Sequence, residues 1–430
     1  MRFRPLFSQP VAAAIAVMGL GLLFLSSCGR KTPTTVSTEG ETSSPEPVLS
    51  VPDKVQNPES SSPAVTLNPS GAVRPRLLRN GPVFSLPTKN DALLSGKPDA
   101  FYMFVDRYTP DGTVQVWQGG SYGYVRNPRT TSSGEVFTKF HEGIDIAPMD
   151  RNASGEPLDL VSAIADGTVV FCSPNAQSNY GNYLVIAHPC GEDHGTFYSL
   201  YAHLKRIDAK EGLKVKRGEP VGLMGHTGEG LDRRRAHLHL ELCLLLSERF
   251  NDYYGTHYKL ANPFANFHGH NLIGMDVAAF LKAAHDEPGL RPDEFLKSSG
   301  KPYYRVRIPN RTGRELEIAA SYPWLRKPGL AAASWEISVG ATGLPLAIAP
   351  SKEACIQPAV VWVQPFTGYH SWNTRSHLAG SGNSATLASE GQRYLQLVTG
   401  DFPVSPRPAT VMGVTKPSGA KPSPAPRGVR

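Results

Sequence analysis

The chain carries little charge for its size. Asp, Glu, Lys and Arg make up 19% of 430 residues, and the net charge is only +7. There is no dense Lys/Arg run interleaved with aromatics and no finger spacing, so nucleic acid is not an expected partner. A modest basic excess suits an anionic polymer or a membrane surface, and a merely solvated basic surface equally well. Cysteine is scarce, with five in the chain. Apart from Cys28, the cysteines are Cys172, Cys190, Cys243 and Cys355, and none has zinc-ligand spacing. Sequence does not choose among their possible pairings, and free buried thiols are an equally good reading. If residues 166–188 form a hairpin, Cys172 lies near its turn and Cys190 near its open end, which argues against that pair.

A membrane-length apolar run is also missing at the N-terminus. Val11 to Leu25 is uncharged but too short for a comfortable span. It follows Arg2 and Arg4 and precedes Ser26-Ser27-Cys28, the layout of a secretory signal. Leu25-Ser26-Ser27-Cys28 resembles a bacterial lipobox. That resemblance implies cleavage before Cys28 and lipidation of Cys28, with a conventional signal and an incidental thiol as the alternative. Acyl chains contribute about 0.8 kcal/mol per buried methylene, so several of them anchor stably. Gly29 after the cysteine resembles the sorting pattern that favours an outer membrane facing the periplasm.

What is present divides the chain into six expected stretches. Residues 1–27 are the signal peptide. Residues 28–75, rich in Ser, Thr, Pro and Glu, cannot bury enough apolar surface to order and are expected as a tether. Residues 76–265 form a β domain with an N-terminal β extension. Within it, Ala100 to Val105 and Thr113 to Trp117 read as strands around an Asp111-Gly112 turn. Further strands are expected at Gly167–Phe171, Asn182–Ala187, Phe197–Leu204, Pro220–Met224 and His237–Leu242. Residues 266–300 read as a helical linker with Asp276 as an N-cap. Residues 301–402 return to a β pattern at Tyr304–Ile308, Ser334–Val339, Val360–Val363 and Tyr394–Val398. Residues 403–430 are a basic, Pro-rich tail with no acid after Asp401.

Two short clusters carry chemistry: His141-Glu142-Gly143-Ile144-Asp145 and His237-Leu238-His239. Tyr201-Ala202-His203 lies between them. On a strand, alternate side chains share a face, so His237 and His239 point the same way. Gly143 disfavours a regular helix through 141–145, but a bent extended segment aims His141 and Asp145 at one point. Two imidazoles and one carboxylate suit a tetrahedral zinc ion with an open fourth position, which is the pattern of hydrolysis rather than scaffolding.

With the intervening DGTVV, YGNYLVIAH and VGLMGHTG, these clusters resemble the M23 family of peptidoglycan endopeptidases, the lysostaphin- and LytM-type zinc peptidases. The resemblance covers about residues 120–245. It implies a small antiparallel β domain of the LytM (duplicated hybrid motif) type, and with the short helical linker and second small β domain read from the pattern above, the chain is expected to be mainly β. It implies Zn2+ held by His141, Asp145 and His239, with His203 and His237 as the catalytic, non-ligating histidines. Tyr180 and Asn182 are candidates to line the substrate groove, with an ordinary loop as the alternative. His188 and His226 read as structural or groove-lining. Arg233-Arg234-Arg235 departs from the family's small polar residues, and either binds a stem-peptide carboxylate or is a solvated loop. The function implied is a zinc endopeptidase acting on peptidoglycan from a lipid anchor in the cell envelope. The alternatives are a non-catalytic activator of murein amidases and a wall-binding module. Protein partners are not indicated.

Overall fold

Strand alternation builds the centre of the molecule. In the strand Asn182–Pro189, Leu184 and Ile186 enter one hydrophobic core while Tyr183 and Val185 enter another on the opposite face. A strand covered on both faces reads as an almost continuous apolar run. The computed structural model describes residues 80–403, except residues 133, 176, 177, 312, 314 and 330–332. The expected signal peptide, the Cys28 anchor and the tether lie outside the described residues, as does the tail from residue 404.

The described chain opens with α1 (Pro98–Phe101) and a hairpin of β1 (Val105–Thr109) and β2 (Gly112–Val116). The strand expected at Ala100–Val105 is therefore partly a helical turn. Pro98 starts that turn, and its end buries Phe101. A longer hairpin pairs β3 (Gly123–Thr131) with β4 (Gly134–His141). After a bend at Glu142 and Gly143 come β5 (Ile144–Ile146), β6 (Leu160–Ser162), β7 (Gly167–Pro174), β8 (Asn182–Pro189) and β9 (Thr196–Ala202). They are followed by β10 (Arg206–Ile207), β11 (Lys214–Val215), β12 (Pro220–Leu223), β13 (Leu238–Leu245) and β14 (Leu272–Gly274). The main sheet is antiparallel with order β11-β7-β8-β9-β13-β14, and β5 also pairs with β13. A smaller sheet has the order β10-β12-β6.

Helices α2 (Phe250–His257), α3 (Val277–Asp286) and α4 (Pro292–Ser299) follow. Asp276 caps α3 as expected, accepting the Ala279 N–H at 3.0 Å. The C-terminal part centres on an antiparallel sheet of β15 (Pro302–Pro309), β16 (Ser334–Gly340), β17 (Pro345–Ser351) and β18 (Ala359–Val363), in the order β17-β16-β15-β18. It also holds α5 (Glu317–Ser321) and α6 (Ser389–Thr399). The strand expected at Tyr394–Val398 is part of α6. The buried positions Gly391, Tyr394, Leu395 and Val398 follow helical spacing, and Gly400 closes the helix in the left-handed conformation at φ 68°.

One continuous apolar core runs through both parts, from Leu240 on β13 to Val306 on β15 and Tyr394 on α6. Tyr322 stitches them together: its hydroxyl accepts the Leu245 N–H at 2.8 Å and donates to the Thr196 carbonyl at 3.0 Å. Cys172, Cys190, Cys243 and Cys355 are free thiols. Among the described residues no helix is long and apolar enough to cross a membrane.

Two histidines are structural. His188 is fully buried, with Nδ1 2.8 Å from the Asp166 carbonyl and Nε2 2.7 Å from Ser199 Oγ. His377 is buried with Nδ1 3.1 Å from Tyr304 Oη. Burial pushes His188 from 6.5 down to about 4, and pushes His377 down to about 3. Both remain neutral in the fold at pH values where the unfolded chain binds protons. Their contribution to stability is therefore complete above about pH 6.5 and is lost as pH falls through about 4. The midpoint of thermal unfolding should drop steadily over that window, and His377→Gln should flatten the slope. A midpoint that stays level across the window would contradict it.

Candidate metal centre

The register of β13 assembles the site. His239 sits opposite Asp145 on β5 and opposite Ala202 on β9, and His203 follows Ala202 directly. His237, His239 and Glu241 share one face of the strand, while Leu238, Leu240 and Leu242 enter the core on the other. His141 ends β4 and reaches the same point through the bend at Gly143. A Cβ at Gly143 would come within 2.2 Å of the Leu240 carbonyl oxygen, so only glycine lets this segment lie against β13.

His141, Asp145 and His239 present donor atoms that lie mutually within 4.8 Å. The triangle is nearly equilateral: His141 Nε2 is 3.0 Å from Asp145 Oδ1 and 3.2 Å from His239 Nδ1, and Asp145 Oδ1 is 3.0 Å from His239 Nδ1. Three ligands about 2.0–2.1 Å from a tetrahedral ion stand about 3.3 Å apart, so the donor set and its spacing fit such an ion. The opposite atom of each ligand is also held. His141 Nδ1 donates to the Ser121 carbonyl at 2.8 Å. Arg126 Nη2 donates to Asp145 Oδ2 at 2.7 Å, while its Nε donates to the Gly119 carbonyl at 2.7 Å. His239 Nε2 is 2.9 Å from Glu241 Oε1. Such outer partners fix which atom each ligand offers and how the ring is turned.

Glu241 and Arg126 are site residues that the sequence reading missed. The signal for Glu241 was present: it continues the period-two face of His237 and His239. Arg126 had no local signal, because only the β3–β4 hairpin brings it to Asp145.

His203 and His237 flank the triangle, with ring centroids 4.8 Å apart. His203 Nδ1 is 2.8 Å from the Thr227 carbonyl, and His237 Nδ1 is 2.6 Å from the Arg235 carbonyl. A carbonyl only accepts, so Nδ1 carries the proton in both rings and Nε2 is the nitrogen left to act. His237 Nε2 faces Asp145 Oδ1 at 3.2 Å. His203 adopts φ 61°, an uncommon conformation for a residue with a side chain, held by its N–H bond to the Tyr180 carbonyl at 2.9 Å.

Burial opposes charge on each of these groups. It prevails at His141 and His203, lowering both, His203 well below the usual value. At His239 burial is outweighed by hydrogen bonds to Asp145 and Glu241, which lift it to about 10. At Asp145 burial is outweighed by His141 and His237, which hold it well below the usual carboxylate range.

Tyr180 donates to Glu241 Oε1 at 2.7 Å, and its ring centroid lies 5.8 Å from that of His239. Asn182 turns inward: its amide nitrogen donates to the Leu204 carbonyl at 3.0 Å, and its backbone N–H donates to Thr227 Oγ1 at 3.0 Å. These bonds lock the loop that supplies the Thr227 carbonyl to His203. His226 lies 3.4 Å from Glu156, outside the triangle. Arg233 pairs with Glu156 at 2.8 Å and Arg234 pairs with Asp106, so both guanidinium groups have protein partners.

Residues 139–249 match the profile of peptidase family M23. The peptidoglycan DD-endopeptidase ShyA of Vibrio cholerae is 38% identical over 98 residues, covering 23% of this chain and 20% of that protein. An uncharacterised metalloprotease of Buchnera aphidicola is 36% identical over 105 residues, covering 24% of this chain and 23% of that protein. The NlpD/LppB lipoprotein homologue of Pseudomonas aeruginosa is 33% identical over 114 residues, covering 26% and 31%. The chain thus spans less than a third of the length of these curated relatives. Among solved structures, the catalytic domain of lysostaphin from Staphylococcus simulans aligns over 38% of this chain and 89% of that one, at 24% identity and a TM-score of 0.22. On the family match, residues 139–249 of this chain are a peptidase family M23 domain.

Proposed function

We propose that the protein is a zinc endopeptidase that hydrolyses peptide cross-links of peptidoglycan in the cell envelope. The observation that carries this is the buried His141–Asp145–His239 triangle with His203 and His237 beside it, each held through Nδ1 by a backbone carbonyl. Bound in the triangle, Zn2+ supplies Lewis acidity toward a carbonyl and makes water acidic enough to attack near neutral pH.

The chain's own residues then handle the proton. His237 accepts it from the attacking water through Nε2, and its Nδ1–H bond to the Arg235 carbonyl stabilises the imidazolium that forms. The proton that His237 takes from the water is the one returned to the leaving amine, and His203, on the other side of the His237 ring, is placed to assist that transfer. Arg126 and Glu241 hold the ligands still, which is where positioning lowers the barrier.

The name of the Vibrio cholerae relative supports a D-amino-acid cross-link as the bond cut. Relatives named as lipoproteins support a lipid anchor at Cys28 and an outer-membrane location. The complete ligand set and both flanking histidines favour catalysis over a non-catalytic activator of murein amidases, which needs neither.

The test is the purified full chain incubated with isolated murein sacculi, with and without a chelator. Release of uncross-linked muropeptides that stops on chelation and returns with zinc is the expected result. A zinc-loaded protein that releases nothing, yet stimulates an amidase on the same sacculi, would replace this reading with the activator one.

A further inference from the structure

A cavity of about 370 Å³ opens beside the metal centre, lined in part by Glu142, Tyr180, Phe264, His268, His270 and Arg375. Tyr180 joins it to the centre through its hydrogen bond to Glu241, which in turn holds His239. Glu142 follows the ligand His141 directly. Arg375 alone among the six comes from the C-terminal part of the chain, well beyond the family match at 139–249.

Two contacts hold Arg375 on a strained backbone. Its backbone is left-handed at φ 52°, as is that of Ser376 at φ 60°, a conformation that costs free energy at residues with side chains. Its N–H donates to Tyr124 Oη at 2.6 Å, tying it to β3. Its guanidinium lies over the Phe140 ring, 5.3 Å from the centroid, and Phe140 immediately precedes His141 on β4. The cation is thereby indexed to the strand that delivers a metal ligand.

One arm of its hydrogen-bonding fork is nevertheless unfilled. Among the described residues Arg375 Nη1 is buried without a hydrogen-bond partner. Arg126 is engaged by Asp145, Arg233 by Glu156 and Arg234 by Asp106, while Arg235 Nε, outside this cavity's lining, is also buried without a partner among the described residues. A planar cation on strained backbone, lining a cavity with one donor unpartnered, matches a carboxylate. The single acidic side chain in the lining, Glu142, disfavours a second negative group.

We propose that Arg375 is a specificity-determining residue that receives one free carboxylate of the peptide substrate in this cavity, while the bond to be cut lies at the metal centre. The proposal rests on the peptidase reading above and adds the feature by which the substrate is chosen. It also gives the C-terminal part of the chain a role in the site.

The test uses the full zinc-loaded chain and two synthetic cross-linked peptides that differ only in a free or an amidated terminal carboxyl. The wild type should cleave the free acid with about 10- to 100-fold higher kcat/KM, the range expected of a charge-assisted contact, with most of the difference in KM. Arg375→Met should erase that preference, and Arg375→Lys should retain part of it, with zinc content and thermal midpoint checked for both. Should the Met variant fail to fold, Arg375→Gln takes its place. Equal cleavage of acid and amide by the wild type overturns the subsite and leaves the peptidase reading intact. A parallel binding assay with fluorescent peptides separates the two claims. Acid-selective, Arg375-dependent binding without any cleavage keeps the subsite and overturns the peptidase reading.

Discussion

His239→Ala should abolish both zinc retention and cleavage, whereas replacing His203 should keep the metal and lose only the cleavage. The contrast follows from where each nitrogen points. His239 Nδ1 stands 3.0 Å from Asp145 Oδ1 and 3.2 Å from His141 Nε2, as one corner of the triangle. Its removal leaves two ligands and uncovers Glu241, a buried carboxylate that His239 and Tyr180 hold below the usual value against the effect of burial. Among the described residues His203 makes no hydrogen bond to a ligand atom, and its side chain bonds the Thr227 carbonyl. Losing a general acid–base group costs about 10²–10⁴ in rate, with the metal untouched. Because His203 is left-handed, Asn tolerates that backbone better than Ala and gives the cleaner variant. The measurement is zinc per mole of protein beside muropeptide release. Full zinc in His239→Ala would sink the ligand assignment, and loss of zinc in His203→Asn would make His203 part of the binding set.

Glu241→Gln should weaken zinc binding by about 10- to 100-fold, the usual effect of losing an outer carboxylate partner. Glu241 is buried and accepts from Tyr180 at 2.7 Å, with His239 Nε2 at 2.9 Å and Cys243 Sγ at 3.1 Å. As an anion it holds the Nε2–H of His239, so that Nδ1 is the basic nitrogen turned to the metal. Glutamine keeps the shape but removes the charge, and its amide can present a donor where His239 also donates. Tyr180→Phe is the matched control. It deletes one neutral hydrogen bond to Glu241 and should change affinity far less. Competition titration against a chromophoric chelator reads both variants. Wild-type affinity in Glu241→Gln would remove Glu241 from the centre's design and leave it a merely satisfied buried acid.

Much of this site was legible because its determinants are local. The alternation His237-Leu238-His239-Leu240-Glu241 states which side chains share a face, and the strand bears it out with leucines in the core and polar groups at the centre. Gly143 in HEGID marks a bend that a helix would not contain, and the structure places β5 tight against β13 there. Two local readings failed where short apolar runs were ambiguous. Tyr394–Val398 has enough alternation to pass for a strand, but its neighbours Gly391 and Gly400 belong to a helix and its left-handed stop. Ala100–Val105 begins just after Pro98, which starts a helical turn.

By itself the amino-acid sequence determined the shared face of His237 and His239 and the β character of the chain, with the ligand types and the exported N-terminal pattern as expectations. Those follow from side-chain chemistry and from periods of two and 3.6, which need no long-range information. Only the tertiary structure decided which atoms hold the ligands. Arg126 arrives by a hairpin, Ser121 by the turn before it, and His203 through a loop locked by Asn182 and Thr227. It also decided that Arg375, far along the chain, stands over the ring of Phe140, the residue before His141. Contacts between distant segments depend on how sheets pack and on which carbonyls are left facing inward, and no window of sequence carries that.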